Sequence, residues 1–192
     1  AVTKTVVFGV SAALCGIALD LKKNVSGSDT DEVFPTDAWL KSTKAKIKVG
    51  FTPKHLPKNC DLVVYTGAHQ GVNNPEVIAA KKQGIAILNY AQALAQVTQK
   101  KTLIATAGVG GKSTTAAMLA TILETAGAKP SWAIGVGNLQ PLGRPGRWRN
   151  QSQYLVAESD EFVADPGADL TPKFHYLKPQ VAVITNLEHD HP

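Results

Sequence analysis

Cysteine is scarce in this sequence: Cys15 and Cys60 are the only two in 192 residues, and they form no CxxC pair. That excludes a disulfide-stapled scaffold and a cysteine-based zinc site, and two reduced thiols fit a cytoplasmic protein. No apolar run reaches about 18 residues, so no membrane-spanning helix and no membrane partner are expected. The opening residues lead into a short apolar run at 5–10. They lack the longer apolar core and small-residue cleavage site of a secretory signal. Internal repeats and low-complexity tracts are absent as well. What is present is 44% apolar residues, enough for packed cores. The net charge of +5 could favour nucleic acid, but it equally suits anionic small molecules such as nucleotides. Lys and Arg are spread along the chain, so a nucleic-acid partner is not expected. The one local cluster, Arg144, Arg147 and Arg149, lies in a Gly/Pro-rich stretch. It reads first as a solvated loop and second as a substrate-contacting one.

Apolar strand-like runs alternate with helix-like stretches. Residues 5–10 read as a buried strand, and 12–22 as a helix with Leu14, Ile17, Ala18 and Leu21 at helical spacing. Residues 24–26 read as a short strand before a turn at Gly27-Ser28-Asp29. Residues 61–66 form a β-branched strand. Residues 75–83 form a helix with Pro75 in its first turn and Gly84 just past its end. Residues 85–88 form another strand. The series then restarts, with a strand at 102–106 and a helix at 112–126 whose apolar stripe is Met118, Leu119, Ile122, Leu123 and Ala126. Strands follow at 154–157 and 181–185. This alternation predicts an α/β fold with two consecutive parallel-sheet domains. The first, 1–98, is Rossmann-like. The second, 99–192, is a P-loop ATPase-like domain that is expected to be incomplete, because the chain stops at Asp190-His191-Pro192 directly after a strand.

The sharpest signal is Gly108-Val-Gly110-Gly111-Lys112-Ser113-Thr114-Thr115, between a strand and a helix. Glycines let the backbone curl so that several N–H groups point at phosphate oxygens. The helix N-terminus adds about half a positive charge. Lys112 can reach the β- and γ-phosphates, and the Ser113 hydroxyl can ligate Mg²⁺. The strict phosphate-loop pattern wants glycine where Thr106 stands, so this is a shorter variant, G-x-G-G-K-S.

The run Ala107-Gly-Val-Gly-Gly-Lys-Ser-Thr-Thr resembles the A-G-T-x-G-K-T-T-T loop of the Mur ligases, which join amino acids or peptides to UDP-linked muramic acid. Leu155-Val-Ala-Glu158-Ser-Asp160-Glu161 is similar to the family's V-x-E-A-D-E segment. Val183-Ile-Thr185-Asn186-Leu-Glu188-His-Asp190-His191 is similar to its T-N-I-x-x-D-H segment. Val25-Ser-Gly-Ser-Asp29 and Asn74-Pro-Glu-Val-Ile-Ala-Ala80 resemble the alanine-adding branch. The resemblance covers nearly the whole chain, with the C-terminal third of the family pattern, its ligase domain, missing.

The resemblance implies ATP-dependent amide formation through an acyl phosphate, with UDP-N-acetylmuramic acid and L-alanine as substrates. It implies that Lys112 binds ATP phosphates together with Gly108, Gly110, Gly111, Ser113 and Thr114. It also implies that Ser113 and Glu158 hold Mg²⁺, and that Asn186 and His191 sit at the γ-phosphate and second-metal region. Lys112, Glu158 and His191 are thus the expected catalytic residues. Asp160 and Glu161 read either as part of the motif or as solvated loop acids. His189 and His191 hint only weakly at zinc, with no third histidine near. His175 reads as a packed or surface residue.

The first half departs more from the family. Its glycine-dense loop is here Gly9-Val-Ser11-Ala-Ala13-Leu-Cys-Gly16, and its Arg-x-Glu is Tyr90-Ala-Gln92. Gly9, Ser11, Ser28 and Asp29 are the candidate contacts for the UDP-sugar, with Asp29 equally readable as a turn former. Three alternatives stay open. One is a ligase that reattaches recycled murein peptide. Another is a partition-type ATPase, against which Ala107 stands where that class has lysine. The last is a nicotinamide-binding domain, for which this loop is glycine-poor. Oligomeric state is not legible.

Overall fold

The computed structural model describes residues 4–8, 11–137 and 139–188. In chain order the first half holds β1 (Lys4–Phe8), α1 (Ala12–Asp20), β2 (Asn24–Asp29), α2 (Asp37–Lys41), β3 (Lys46–Val49), β4 (Leu62–Tyr65), α3 (Pro75–Lys82), β5 (Ala86–Asn89) and α4 (Tyr90–Thr98). Its strands form one parallel sheet in the order β3-β2-β1-β4-β5. The second half holds β6 (Thr102–Ala107), α5 (Lys112–Thr125), β7 (Ser131–Ala133), β8 (Gly146–Arg147), β9 (Tyr154–Glu158), β10 (Val163–Asp165), β11 (Asp169–Pro172) and β12 (Val181–Ile184). Its main sheet runs β12-β6-β9-β7-β8 and is parallel except for the β7–β8 pair. β10 and β11 make a separate antiparallel hairpin. The fold is α/β, with two consecutive sheets.

Local chemistry accounts for the helix starts. The Ser11 hydroxyl accepts from the Leu14 N–H and caps α1. Asn74 caps α3, with Pro75 at its first position. Asn89 and Gln92 form a reciprocal capping box on α4. α4 runs to Thr98, just before β6 begins at Thr102. Its apolar Leu94 is buried in a cluster with Leu14, Ile17 and Val64.

Three sequence expectations change. Gly27-Ser28-Asp29 is not a turn but the second half of β2, in register with Ile47 to Val49 of β3. α5 turns Ala116 and Ala120 into the core, with Leu119 and Leu123 packed beside them. Met118 and Ile122 are 60% and 59% exposed. The small alanines let the helix sit close on the sheet, which rotates the larger residues of the expected stripe outward. The arginine cluster is not a solvated loop either. Arg144 ion-pairs with Asp20 at 3.1 Å and donates to the carbonyls of Gly16 and Gly146. Arg149 pairs with Glu124.

The two halves share a core. Buried Leu14, Ile17, Val64 and Leu94 lie in one cluster with Leu103, Ala105, Leu155 and Leu177. Two glycines make the closest approach. A Cβ on Gly16 would lie 2.3 Å from the Gly146 carbonyl oxygen, and one on Gly146 would lie 1.8 Å from that of Ala13.

Candidate active site

Three strand ends meet beside one loop. β6 is paired with β9 on one side and β12 on the other, with Thr106 opposite Glu158 and Ala107 opposite Ile184. The register therefore delivers the loop at 108–111, the Glu158 carboxylate and the Thr185-Asn186 pair to the same carboxyl edge, where ligands bind in such sheets. Gly108 has φ +124° and Gly111 φ +81°. A side chain on Gly108 would lie 2.3 Å from the Thr185 hydroxyl, so only glycine fits both the conformation and the space. Thr185 closes the loop from that side, donating to the Gly110 carbonyl at 2.6 Å.

Lys112 opens α5, and its ammonium turns back over the loop. It donates to the Gly108 carbonyl at 2.7 Å and ion-pairs with Glu161 at 2.8 Å. The Gly110 N–H donates to Asn186 Oδ1 at 3.0 Å. Glu158 accepts from the Gly135 N–H at 2.8 Å, and the Ser113 hydroxyl is near enough to favour its charged form. Burial pushes the Glu158 carboxyl above the usual carboxylate range; the Gly135 hydrogen bond, the Ser113 hydroxyl and the nearby Lys112 charge oppose the shift without cancelling it. Thr114 is exposed on the first turn of α5. A cavity of about 770 Å³ opens beside Gly108 and Val109 and reaches Glu161, Asn186 and His175.

The acids of the central segment are not free in solution. Asp160 pairs with Lys173 at 2.7 Å, and Glu161 pairs with Lys112. The sequence left Glu161 undecided, and only the fold brings it to the loop. His191, with His189 and Asp190, lies outside the described residues, as does Gly9.

The first sheet presents a second candidate place at the end of β2. Asp29 accepts from the Thr30 N–H at 2.8 Å. It lines a cavity of about 270 Å³ with Leu40, Lys41, Ile47 and Lys48. Ser28 is fully buried beneath that edge. Its hydroxyl donates to Glu76 at 2.9 Å and meets His55 Nδ1 at 3.0 Å, so it is engaged internally. Glu76 is fully buried, and burial raises its carboxyl pKa despite donors from Thr52 and Ser28. Ser11 caps α1, with the Tyr90 hydroxyl near it. Sequence reading gave no role to His55, which carries no local motif, nor to the Glu76 and Tyr90 side chains within the segments already singled out.

Comparison with known proteins agrees with this geometry. The profile described as "Mur ligase family, catalytic domain" matches residues 9–102. That match ends where β6 begins, just short of the glycine loop. UDP-N-acetylmuramate–L-alanine ligase of Trichlorobacter lovleyi is 39% identical over 180 residues, which is 94% of this chain and 37% of that protein. The enzyme of the same name from Geobacter sulfurreducens is 37% identical over 94% of this chain and 36% of its own length. The chain thus spans just over a third of the curated relatives it matches. Among solved structures, UDP-N-acetylmuramate:L-alanyl-gamma-D-glutamyl-meso-diaminopimelate ligase from Neisseria meningitides superposes with a TM-score of 0.86 at 28% identity, covering 100% of this chain and 62% of that one. UDP-N-acetylmuramate-alanine ligase from Thermotoga maritima shares the fold, with a TM-score of 0.81 at 24% identity over 98% of this chain and 42% of that one. These relatives span the glycine loop and both flanking strand ends, and residues 9–102 match the Mur ligase catalytic-domain profile, so the chain is similar to Mur ligases over nearly its whole length.

Proposed function

We propose that this chain is the nucleotide-binding and UDP-sugar-binding part of a cytoplasmic, ATP-dependent amide ligase of peptidoglycan precursor synthesis. The substrates would be UDP-N-acetylmuramic acid and L-alanine. The observation that carries this reading is the gathering of glycine loop, ammonium, hydroxyl and half-buried carboxylate at one sheet edge. The names of the curated relatives supply the substrates.

In the proposed reaction the γ-phosphoryl group passes from ATP to the muramic acid carboxylate, giving an acyl phosphate. The amine of alanine then attacks and phosphate leaves. Lys112 would neutralise the β- and γ-phosphates, and the loop N–H groups would fix their orientation. That is positioning and charge compensation rather than covalent chemistry. The residues also fit Mg²⁺. A hard cation in a phosphate site needs one or two carboxylates, with phosphate and water oxygens completing its shell. Ser113 and Glu158, which the fold sets at the same sheet edge, supply a hydroxyl and one half-buried carboxylate. When bound, the ion would draw charge off the phosphate oxygens. The cavity beside the loop is of a size ordinary for a small-molecule site. The edge at Ser11 and Asp29 is the proposed UDP side.

A second reading, attachment of a peptide rather than alanine, is favoured by the Neisseria peptide ligase, which matches this chain over its full length. Calorimetric titration with UDP-N-acetylmuramic acid, with and without Mg-ATP, tests the shared part, and heat from neither ligand would sink it. Because the chain spans just over a third of its relatives, it is expected to bind nucleotide weakly without turnover. Alanine-dependent or tripeptide-dependent phosphate release from the 192-residue chain would contradict that, and would also tell the two readings apart.

A further inference from the structure

The glycine loop has its lysine and one backbone N–H engaged by the chain's own groups. The Lys112 ammonium holds Glu161 at 2.8 Å and the Gly108 carbonyl at 2.7 Å. The Gly110 N–H holds the Asn186 side-chain oxygen at 3.0 Å. We infer that Glu161 is a positioning residue that stands in for a phosphate: it holds the ammonium over the loop and must be exchanged for the nucleotide's own anion. This rests on the nucleotide reading proposed above.

Three observations carry it. The pairing partner is the one lysine at the loop's helix start, so the carboxylate lies where an incoming anion would meet the ammonium. The pair is partly buried, with side chains 16% and 27% exposed, so its charges are only partly screened and the exchange has a measurable cost. The other carboxylate oxygen, Glu161 Oε2, is buried and finds no donor among the described residues. A half-satisfied carboxylate pays for desolvation without the matching hydrogen bonds. Glu161 is thus a weak competitor. It is strong enough to orient Lys112, and a polyphosphate that also engages the loop N–H groups can replace it. A carboxylate present to ligate metal, or only to brace the loop, would give the opposite sign on removal.

The test uses inorganic tripolyphosphate with a chelator, so that metal ligation contributes nothing. Calorimetry is run on the 192-residue chain and on the E161Q, K112A and K112A/E161Q variants. The inference expects E161Q to bind about five- to tenfold more tightly, the upper end being about 1.4 kcal/mol. It expects K112A to lose most of the affinity, and E161Q to have no effect in the K112A background. That non-additivity would not arise from a brace acting on loop shape alone. E161D, whose carboxylate is drawn back by one methylene, should shift affinity the same way and serves if E161Q does not fold by circular dichroism. Unchanged or weaker binding by E161Q, with K112A still costly, overturns the stand-in role and leaves the phosphate reading intact. Binding by the parent chain that is indifferent to Lys112, or absent, overturns both.

Discussion

Lys112 and Glu158 differ in how the fold treats their charge. The ammonium has a carboxylate and a carbonyl as partners, whereas Glu158 accepts from a backbone N–H, and burial raises its pKa. A lysine that mainly serves phosphate should be dispensable for folding. Lys112→Ala is expected to weaken Mg-ATP binding by at least about tenfold, with a thermal midpoint that moves little. Glu76 behaves differently. Its folded-state pKa is raised above the ordinary carboxylate value, so the folded state holds the proton longer than the unfolded one. The resulting contribution is full below the ordinary value. It is lost as pH climbs through the raised one and is constant above that. In urea titrations from about pH 4 to about pH 8, the wild type should therefore lose stability relative to Glu76→Gln as pH increases. A difference that grows in the opposite direction would refute the account of Glu76. The glycine-Lys-Ser run stood out in the sequence because its residue types have few other uses in that order. Glu161 did not, because an acid in a loop has no local signature and its partner lies 49 residues away.

At the scale of elements, the close approach of α1 to β8 depends on two glycines and one arginine. A methyl group at Gly146 would lie 1.8 Å from a backbone oxygen that cannot rotate away. Gly146→Ala should cost about 1–3 kcal/mol by urea denaturation. Arg144→Met should also destabilise, by about 1–3 kcal/mol, because Asp20 would keep only the Trp148 N–H as a hydrogen-bond partner. The long β-branched strands and the proline-started helix were readable from pattern alone. Three features were not. α4, rich in Ala and Gln, is started by a capping box that only the fold brings together. β3 alternates lysine with apolar residues on a sheet edge, and most of it is exposed. β7, β8, β10 and β11 are two to four residues each, too short for any period to register. The α5 stripe was misassigned because periodicity fixes a face but not which side of it meets the sheet.

For the whole molecule, the two series of strands predicted from alternation are two sheets, and they are held together as one body. Beyond the shared core, Asp165 from the second half accepts the Val72 N–H of the first at 2.8 Å. Asn89 from the first donates to Asp169 of the second at 3.2 Å. Both contacts tie the β10–β11 hairpin to the carboxyl edge of the first sheet, so the proposed UDP side and the phosphate loop are fixed relative to each other through side chains. Asp165→Ala would remove the acceptor of Val72, and is expected to lower stability by about 1–3 kcal/mol in urea melts. The account's central claim is that backbone amides and one ammonium at the start of α5 gather a triphosphate. Heteronuclear NMR on isotope-labelled chain tests it most directly, by following the amide resonances of Gly108, Gly110, Gly111 and Ser113 as Mg-ATP is added. They should move together along one saturable curve, and the same addition to Lys112→Ala should leave them nearly still. Resonances that stay fixed in the wild type, or shift equally with and without Lys112, would contradict it.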